Sequence, residues 1–328
     1  MGSAAERPRP GPRAAVVTLT LNPALDVSFN VDGVEPGPKL RCHDVRHDPG
    51  GGGVNVARVI RRLGGRALAV FAAGGAAGGQ LQTLLRRERT PHLAIPIAGE
   101  TREDFTAKDL ATGEEYRFVT PGPRLTRPEQ AAALAAALGA GPPPRFLAAS
   151  GSLPPGAPVG LYGRLATAAR ARGLRFALDS SGPALRQGLA AGVWLVKPNL
   201  EELAALMGGP LPDLPVRLAA CRELVRAGRA EIVALSMGPE GAMIVSADEA
   251  WLAASPRISP VSTVGAGDSF LGGLIHALSR KRPAPDALRF AVAAGAAALT
   301  APGAQLAHAK DVETLLPRVR AERLDAGA

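Results

Sequence analysis

Cysteine is scarce, with Cys42 and Cys221 the only two in 328 residues. Two thiols that far apart make neither a disulfide framework nor a metal cluster, so both are expected free, in a reducing, cytoplasmic setting. Aromatic residues are also few, at 4%. None is interleaved with basic residues, so nucleic acid is not expected as the main ligand. No apolar run approaches the roughly 20 residues of a spanning helix, which excludes a membrane partner of that kind. Gly-Lys-Ser/Thr occurs nowhere, so there is no Walker A loop. The only dense glycine run carries Asn55 where a dinucleotide fingerprint needs its third glycine. Residues 1–13 are Pro/Arg-rich with no apolar h-region, and Glu6 stands where a myristoylation site needs Ser or Thr. They are read as a disordered tail.

The chain is long enough for one large α/β unit or two modest ones, with ample core. Lys and Arg outnumber Asp and Glu by 38 to 29, a formal charge of +9. Either a solvated basic surface or an anionic small ligand, a nucleotide or sugar phosphate, accounts for that excess. The 39 glycines and 30 prolines fall mostly between apolar runs, as in a loop-rich enzyme.

Short apolar runs alternate with Ala/Leu-rich stretches. Strands are predicted at 15–21, 67–74, 145–151, 175–181, 193–199 and 231–238. Helices are predicted at 54–63, 79–89, 128–140, 159–171, 200–207, 215–227, 267–280 and 285–300. That alternation gives an α/β fold, a doubly wound and mainly parallel sheet with helices on both faces. Ligands are then expected at the carboxyl ends of the strands. Residues 26–47 and 99–120 instead alternate apolar and polar, as hairpins of a small separate sheet. Such a sheet reads as a lid or a subunit contact. The core is assigned to 14–25, 48–98 and 121–318, the lid to 26–47 and 99–120, and a tail to 319–328.

Three segments carry chemistry. Gly50-Gly51-Gly52-Gly53-Val54-Asn55 opens an apolar helix, whose free N–H groups suit an anion, although a plain turn has the same composition. Ser262 to Phe270 contains Gly265-Ala266-Gly267-Asp268. The turn suits charge developing on a transferred phosphoryl group, and Asp268 is either a general base or a helix cap. Lys197-Pro198-Asn199-Leu200-Glu201-Glu202 puts Asn199 and Glu202 on one face of a starting helix. They suit a water-bridged Mg²⁺ or, equally, a capping box. Asp179 closes a strand and adds charge to the same region.

Together and in this order, the segments resemble the PfkB/ribokinase family of carbohydrate kinases, from about Thr18 to about residue 305. Gly50–Arg58 resembles the first family signature, Ser262–Ser269 the second, and Asn199 with Glu202 the magnesium motif. Thr20–Asp26, Pro38–Cys42, Thr101-Arg102, Gly113–Phe118, Ser150–Gly156 and Asp179–Gly182 resemble the hexose-phosphate branch. The absence of a lysine among the glycines favours 6-phosphofructokinases over 1-phosphofructokinases and tagatose-6-phosphate kinases.

The resemblance implies ATP- and Mg²⁺-dependent phosphorylation of fructose 6-phosphate to fructose 1,6-bisphosphate. Asp26, Gly51, Gly52 and Asn55 are expected on the sugar hydroxyls. Lys39, Arg41, Arg102 and Ser152 are expected on its phosphate. Asp268 is expected as the base, and Gly265, Ala266 and Gly267 as the anion hole. Lys197, Asn199, Ser236, Gly238, Thr263, Gly265 and Gly267 are expected on ATP, with Asn199, Glu202 and Asp179 around Mg²⁺. A homodimer through the lids is implied. Where the family places polar side chains around K⁺, this chain has Ala301 and Gln305, leaving backbone carbonyls as K⁺ ligands. The alternatives are another hexose phosphate or a non-catalytic sugar-phosphate sensor.

Overall fold

The computed structural model describes residues 15–139, 146–261, 264–300 and 306–324. Its strands are β1 Val16–Thr20, β2 Ala24–Val31, β3 His43–Gly50, β4 Ala67–Ala73, β5 His92–Pro96, β6 Arg102–Asp109 and β7 Glu115–Phe118. They continue with β8 Phe146–Ser150, β9 Arg175–Asp179, β10 Val193–Val196, β11 Ala230–Ser236, β12 Ala242–Val245, β13 Ala250–Ala253 and β14 Ala321–Arg323. The helices are α1 Gly52–Arg62, α2 Gly75–Arg87, α3 Arg127–Gly139, α4 Leu161–Arg170 and α5 Gly182–Ala190. After them come α6 Leu200–Met207, α7 Leu214–Arg226, α8 Ala266–Ser279, α9 Ala284–Leu299 and α10 Ala309–Leu315.

Ten strands form one sheet in the order β14-β13-β12-β11-β10-β9-β8-β1-β4-β5. From β5 to β11 the pairings are parallel, and from β11 to β14 they are antiparallel. A parallel sheet is covered on both faces, so its strands run apolar throughout. VVTLT of β1 is buried at every position. Two hydrophobic clusters result, one including α1, α8 and α9 and the other α4, α5 and α7.

The second sheet has four strands in the order β3-β2-β6-β7. β2 pairs antiparallel with β3 and parallel with β6, and β6 turns antiparallel into β7. Both hairpins expected from the alternating segments form, and the β2–β6 ladder joins them.

The structure corrects several boundaries. β2 begins at Ala24 and β3 runs to Gly50, so the small sheet takes in residues assigned to the core. Residues 321–323 are no tail, since they pair with β13 from Trp251↔Arg323 to Ala253↔Ala321. Three residues of AER carry no readable alternation, and only an available sheet edge makes them a strand. α5, which opens with Gly182-Pro183, is not among the predicted helices. Proline in a helix's first turn is in fact well tolerated. The expected tail 1–13, Thr263 and the loop with Ala301 and Gln305 lie outside the described residues.

Candidate functional site

The site forms where the carboxyl ends of β1, β8, β9 and β10 meet the first turns of α1 and α8. Helix α1 is held to β1 by its own backbone, with Val54 N–H donating to Thr20 Oγ1 at 2.9 Å. Gly51 caps α1 without a side-chain bond, so the first N–H groups of the helix lack that partner. α8 packs directly on α1. A methyl group on Gly272 would stand 2.7 Å from Val59 Cγ1, so only glycine lets the two axes come this close.

That packing brings Asn55 of α1 to Asp268 of α8, Nδ2 donating to Oδ2 at 2.9 Å. The sequence left Asp268 open between base and helix cap, and the structure separates these roles. The N-cap of α8 is Gly265 at φ 78°, a left-handed conformation that glycine supplies without strain, and among the described residues no side chain caps the helix. Asp268 spends its carboxylate on Asn55 instead. Burial, then the nearby Asp179 charge, raise its pKa to about 6, against the opposing pull of Asn55, Lys197 and Arg58. A carboxylate with its pKa shifted toward neutrality, beside an uncapped helix N-terminus, can take a proton from a hydroxyl and leave the resulting anion stabilised.

Lys197 follows β10 and is buried. Its Nζ lies 3.1 Å from Asp179 Oδ1, with side-chain exposures of 7% and 14%. Burial would lower the lysine pKa, but Asp179 and Glu202 overrule it and the net direction is up. A methyl on Gly267 would lie 3.8 Å from this ammonium, so a fixed positive charge borders the Gly265–Gly267 turn.

Asn199 caps α6, and the capping box is complete. Glu202 N–H donates to Asn199 Oδ1 at 2.8 Å, and Asn199 N–H donates to Glu202 Oε2 at 2.9 Å. This bond uses one oxygen of Glu202. Burial raises the Glu202 pKa, with Asp179 adding to it, while the Asn199 N–H and Lys197 oppose. Among the described residues no group of three His, Cys, Asp or Glu could hold a metal by itself. The Asp179 and Glu202 carboxylates, close enough for Asp179 to raise the Glu202 pKa, fit a hydrated Mg²⁺ arriving with phosphate oxygens, which needs few protein ligands. Ser236, at the end of β11, bridges to Asn199 and donates its N–H to Pro198 O at 3.0 Å. Gly238 opens an exposed turn just beyond it.

On the other side, Asp26 of β2 has its pKa raised to about 7, chiefly by burial and then by Asp104, with Asp268 and Asp48 adding and Arg58 opposing. Arg102, first residue of β6, pairs with Asp104 at 3.1 Å and donates to Thr120 O at 3.0 Å and Asn22 O at 3.4 Å. Its Nε is buried without a partner among the described residues. Asn22 Nδ2 donates to Ser152 Oγ at 3.2 Å. Arg102 and Ser152, expected on one phosphate, therefore both border Asn22. Lys39 and Arg41 do not join them. Both stand exposed on the loop between β2 and β3, with no ion pair or hydrogen bond among the described residues.

Sequence reasoning missed Asn22, Asp104 and Arg58. Arg58 had a signal, a charge in the otherwise apolar run VARVI, which must be either paired or exposed.

The family model described as "pfkB family carbohydrate kinase" matches residues 14–311. The chain is 43% identical over 298 residues to the ATP-dependent 6-phosphofructokinase isozyme 2 of Mycobacterium tuberculosis, covering 91% of this chain and 88% of that one. It is 37% identical over 269 residues to the 1-phosphofructokinase of Xanthomonas campestris, covering 80% and 83%. Among solved structures it is similar to phosphofructokinase-2 of Escherichia coli in complex with fructose-6-phosphate, with TM-score 0.88, 38% identity and coverage of 93% and 99%. The same enzyme in complex with potassium superposes with TM-score 0.89, also at 38% identity and the same coverage.

Proposed function

Because the chain belongs to the pfkB family of carbohydrate kinases, we propose that it transfers the γ-phosphoryl group of ATP to fructose 6-phosphate, giving fructose 1,6-bisphosphate. The observation that carries this is Asp268, with its raised pKa, standing in the uncapped first turn of α8 beside Asn55. The relatives' names supply the substrate, since the one at 43% identity is a 6-phosphofructokinase and the one at 38% is a phosphofructokinase solved in complex with fructose-6-phosphate.

Phosphoryl transfer needs alignment and charge neutralisation more than covalent help. Asp268 accepts the proton of the attacking sugar hydroxyl. The N–H groups of Ala266 and Gly267, with Lys197 alongside, receive the charge of the group in flight. Asp26 and the N-terminus of α1 orient the sugar, and Arg102 with Ser152 binds its phosphate. Ser236, Gly238 and Asn199 line the nucleotide side. Asp179, Asn199 and Glu202 would hold Mg²⁺ through water, and Mg²⁺ when bound neutralises the phosphate oxygens. Potassium would be held by backbone carbonyls, in keeping with the relative solved with that ion.

The small sheet is read as a lid and as the contact of a homodimer. Phe118 and Val119 are 57% and 64% exposed at its β7 end, and Val45 is 51% exposed on β3. Large apolar groups exposed on both edge strands of this sheet suit a second copy of the chain. Among the described residues no helix is long and apolar enough to cross a membrane. The free thiols of Cys42 and Cys221 suit a reducing, cytoplasmic setting.

A coupled ADP-release assay tests this reading, with purified protein, ATP, Mg²⁺ and a panel of sugars and sugar phosphates, and Asp268→Asn as blank. Fructose 6-phosphate is expected to give the highest kcat/KM by at least about tenfold, a gap of roughly 1.4 kcal/mol. Preference for fructose 1-phosphate or tagatose 6-phosphate would keep the chemistry and replace the sugar pocket. ATP binding without turnover would make the protein a sensor.

A further inference from the structure

Arg58 is an unusual residue for the middle of a helix facing the core. Its side chain is 1% exposed, and every described hydrogen bond it makes goes to a defined acceptor. Nε donates to Glu88 Oε2 at 2.8 Å and Nη2 to Glu88 Oε1 at 2.6 Å, a bidentate pair. Nη1 donates to Pro49 O at 2.7 Å and to Asn55 Oδ1 at 3.0 Å. Asn55 then donates Nδ2 to Asp268 Oδ2 at 2.9 Å.

The direction of this chain is forced. A guanidinium has donors and no acceptor, so it admits only the oxygen of the Asn55 amide. With the oxygen held there, the amide must present its NH₂ to Asp268. Without Arg58 the amide oxygen loses its donor, and only the Asp268 carboxylate is left to orient the amide. Glu88 lies at the end of α2, outside the site, and fixes the plane of the guanidinium through both its oxygens.

We propose that Glu88 and Arg58 are positioning residues for the phosphoryl-transfer reaction, acting through the Asn55 amide to orient the Asp268 carboxylate. This rests on the reading of Asp268 as the base. The purely structural account is that Arg58 staples α1 to α2 and to the end of β3. The two differ in what they do to the titration of Asp268. Groups facing that carboxylate are Asn55 and Arg58 from α1, Asp179 from β9, Lys197 after β10, and Asp26 from β2. Arg58 and the Asn55 hydrogen bond both favour the ionised form, so removing Arg58 makes the base harder to ionise.

The test is the pH dependence of kcat/KM for ATP at saturating fructose 6-phosphate. Saturation keeps Asp26, on the sugar side, out of the comparison, and the substrate's own titration is common to all variants. Arg58→Met preserves side-chain length and removes charge and donors. It is expected to lower kcat at least about tenfold, to move the acid limb upward by about half a pH unit or more, and to leave the KM for ATP within about twofold. Arg58→Lys, which keeps the charge, is expected to restore part of the limb position. Glu88→Gln, at a partly exposed site and keeping one acceptor oxygen for Arg58, is expected to shift the limb the same way by less, and carries the test if Arg58→Met does not fold. In an Asp268→Asn background these substitutions are expected to cost less than about twofold more, because residues acting as one unit are not additive. A pH-independent loss, or the full loss persisting on top of Asp268→Asn, would overturn the relay and leave the base reading intact. An Asp268→Asn enzyme that keeps both its rate and its acid limb would overturn the base reading instead.

Discussion

Lys197 Nζ and Asp179 Oδ1 lie 3.1 Å apart at the ends of two neighbouring parallel strands, both nearly out of reach of solvent. The pair spans the floor of the site, between the turn that opens α8 and the carboxylates at the start of α6. Neither charge is tolerable alone in such surroundings.

Lys197→Met is therefore expected to destabilise the fold by about 3 to 5 kcal/mol, the scale for leaving one partner of a buried pair uncompensated. It should also raise the KM for ATP. Urea unfolding followed by circular dichroism measures the first effect. A midpoint equal to wild type would mean that Asp179 simply protonates or is hydrated.

Asp268 is kept in a form that costs stability. Its pKa rises from 3.8 to about 6 on folding, mainly through burial, so the folded protein holds the proton more tightly than the unfolded chain. The associated stabilisation is complete below the unfolded pKa and is lost as pH rises through about 6. Asp268→Asn removes that loss, so its unfolding midpoint should exceed wild type at about pH 8 and match it near pH 4. The same variant should lose at least ~10²-fold in kcat. Equal midpoints throughout would show that the carboxylate ionises without penalty.

Arg102 is neutralised by Asp104 but keeps a buried Nε without a partner among the described residues. Arg102→Ala should raise the KM for the phosphorylated sugar at least about tenfold while changing kcat little, since the loss is of ground-state and transition-state binding alike. Initial rates against sugar-phosphate concentration decide this. An unchanged KM would remove Arg102 from the phosphate site.

Phe118, on β7, is 57% exposed. Phe118→Lys should shift sedimentation at micromolar protein from dimer toward monomer, because a charge at the centre of an apolar contact is desolvated without a partner. A wild-type protein that sediments as a monomer would end the lid-contact reading.

The site was partly legible because its chemistry sits in short local motifs. Gly265–Asp268 and Lys197–Glu202 follow strands directly, so strand–turn–helix order alone puts them at one end of the sheet. The Asn199–Glu202 capping box was one of two readings the spacing offered, since both partners lie within one turn, and it is present. The pairing of Asn55 with Asp268 spans 213 residues, and no local spacing encodes it. The same holds for Asn22 with Ser152 and for Arg102 with the Asn22 carbonyl, 130 and 80 residues apart, beside a small sheet whose β2–β6 ladder joins distant hairpins.

By itself, then, the sequence determined the α/β alternation, the separate small sheet and the residue types of the site. Hydrophobic period and turn chemistry act over a few residues and are written locally. Tertiary structure decided which end of each polar group is spent and which is left for substrate. It buried the Asp268 carboxylate against Asn55, a choice the sequence had left open between base and helix cap, made Arg58 a buried donor, and left Lys39 and Arg41 outside on their loop. The reason is that burial and long-range charge set these properties, and both depend on which helices come into contact once the apolar faces have packed.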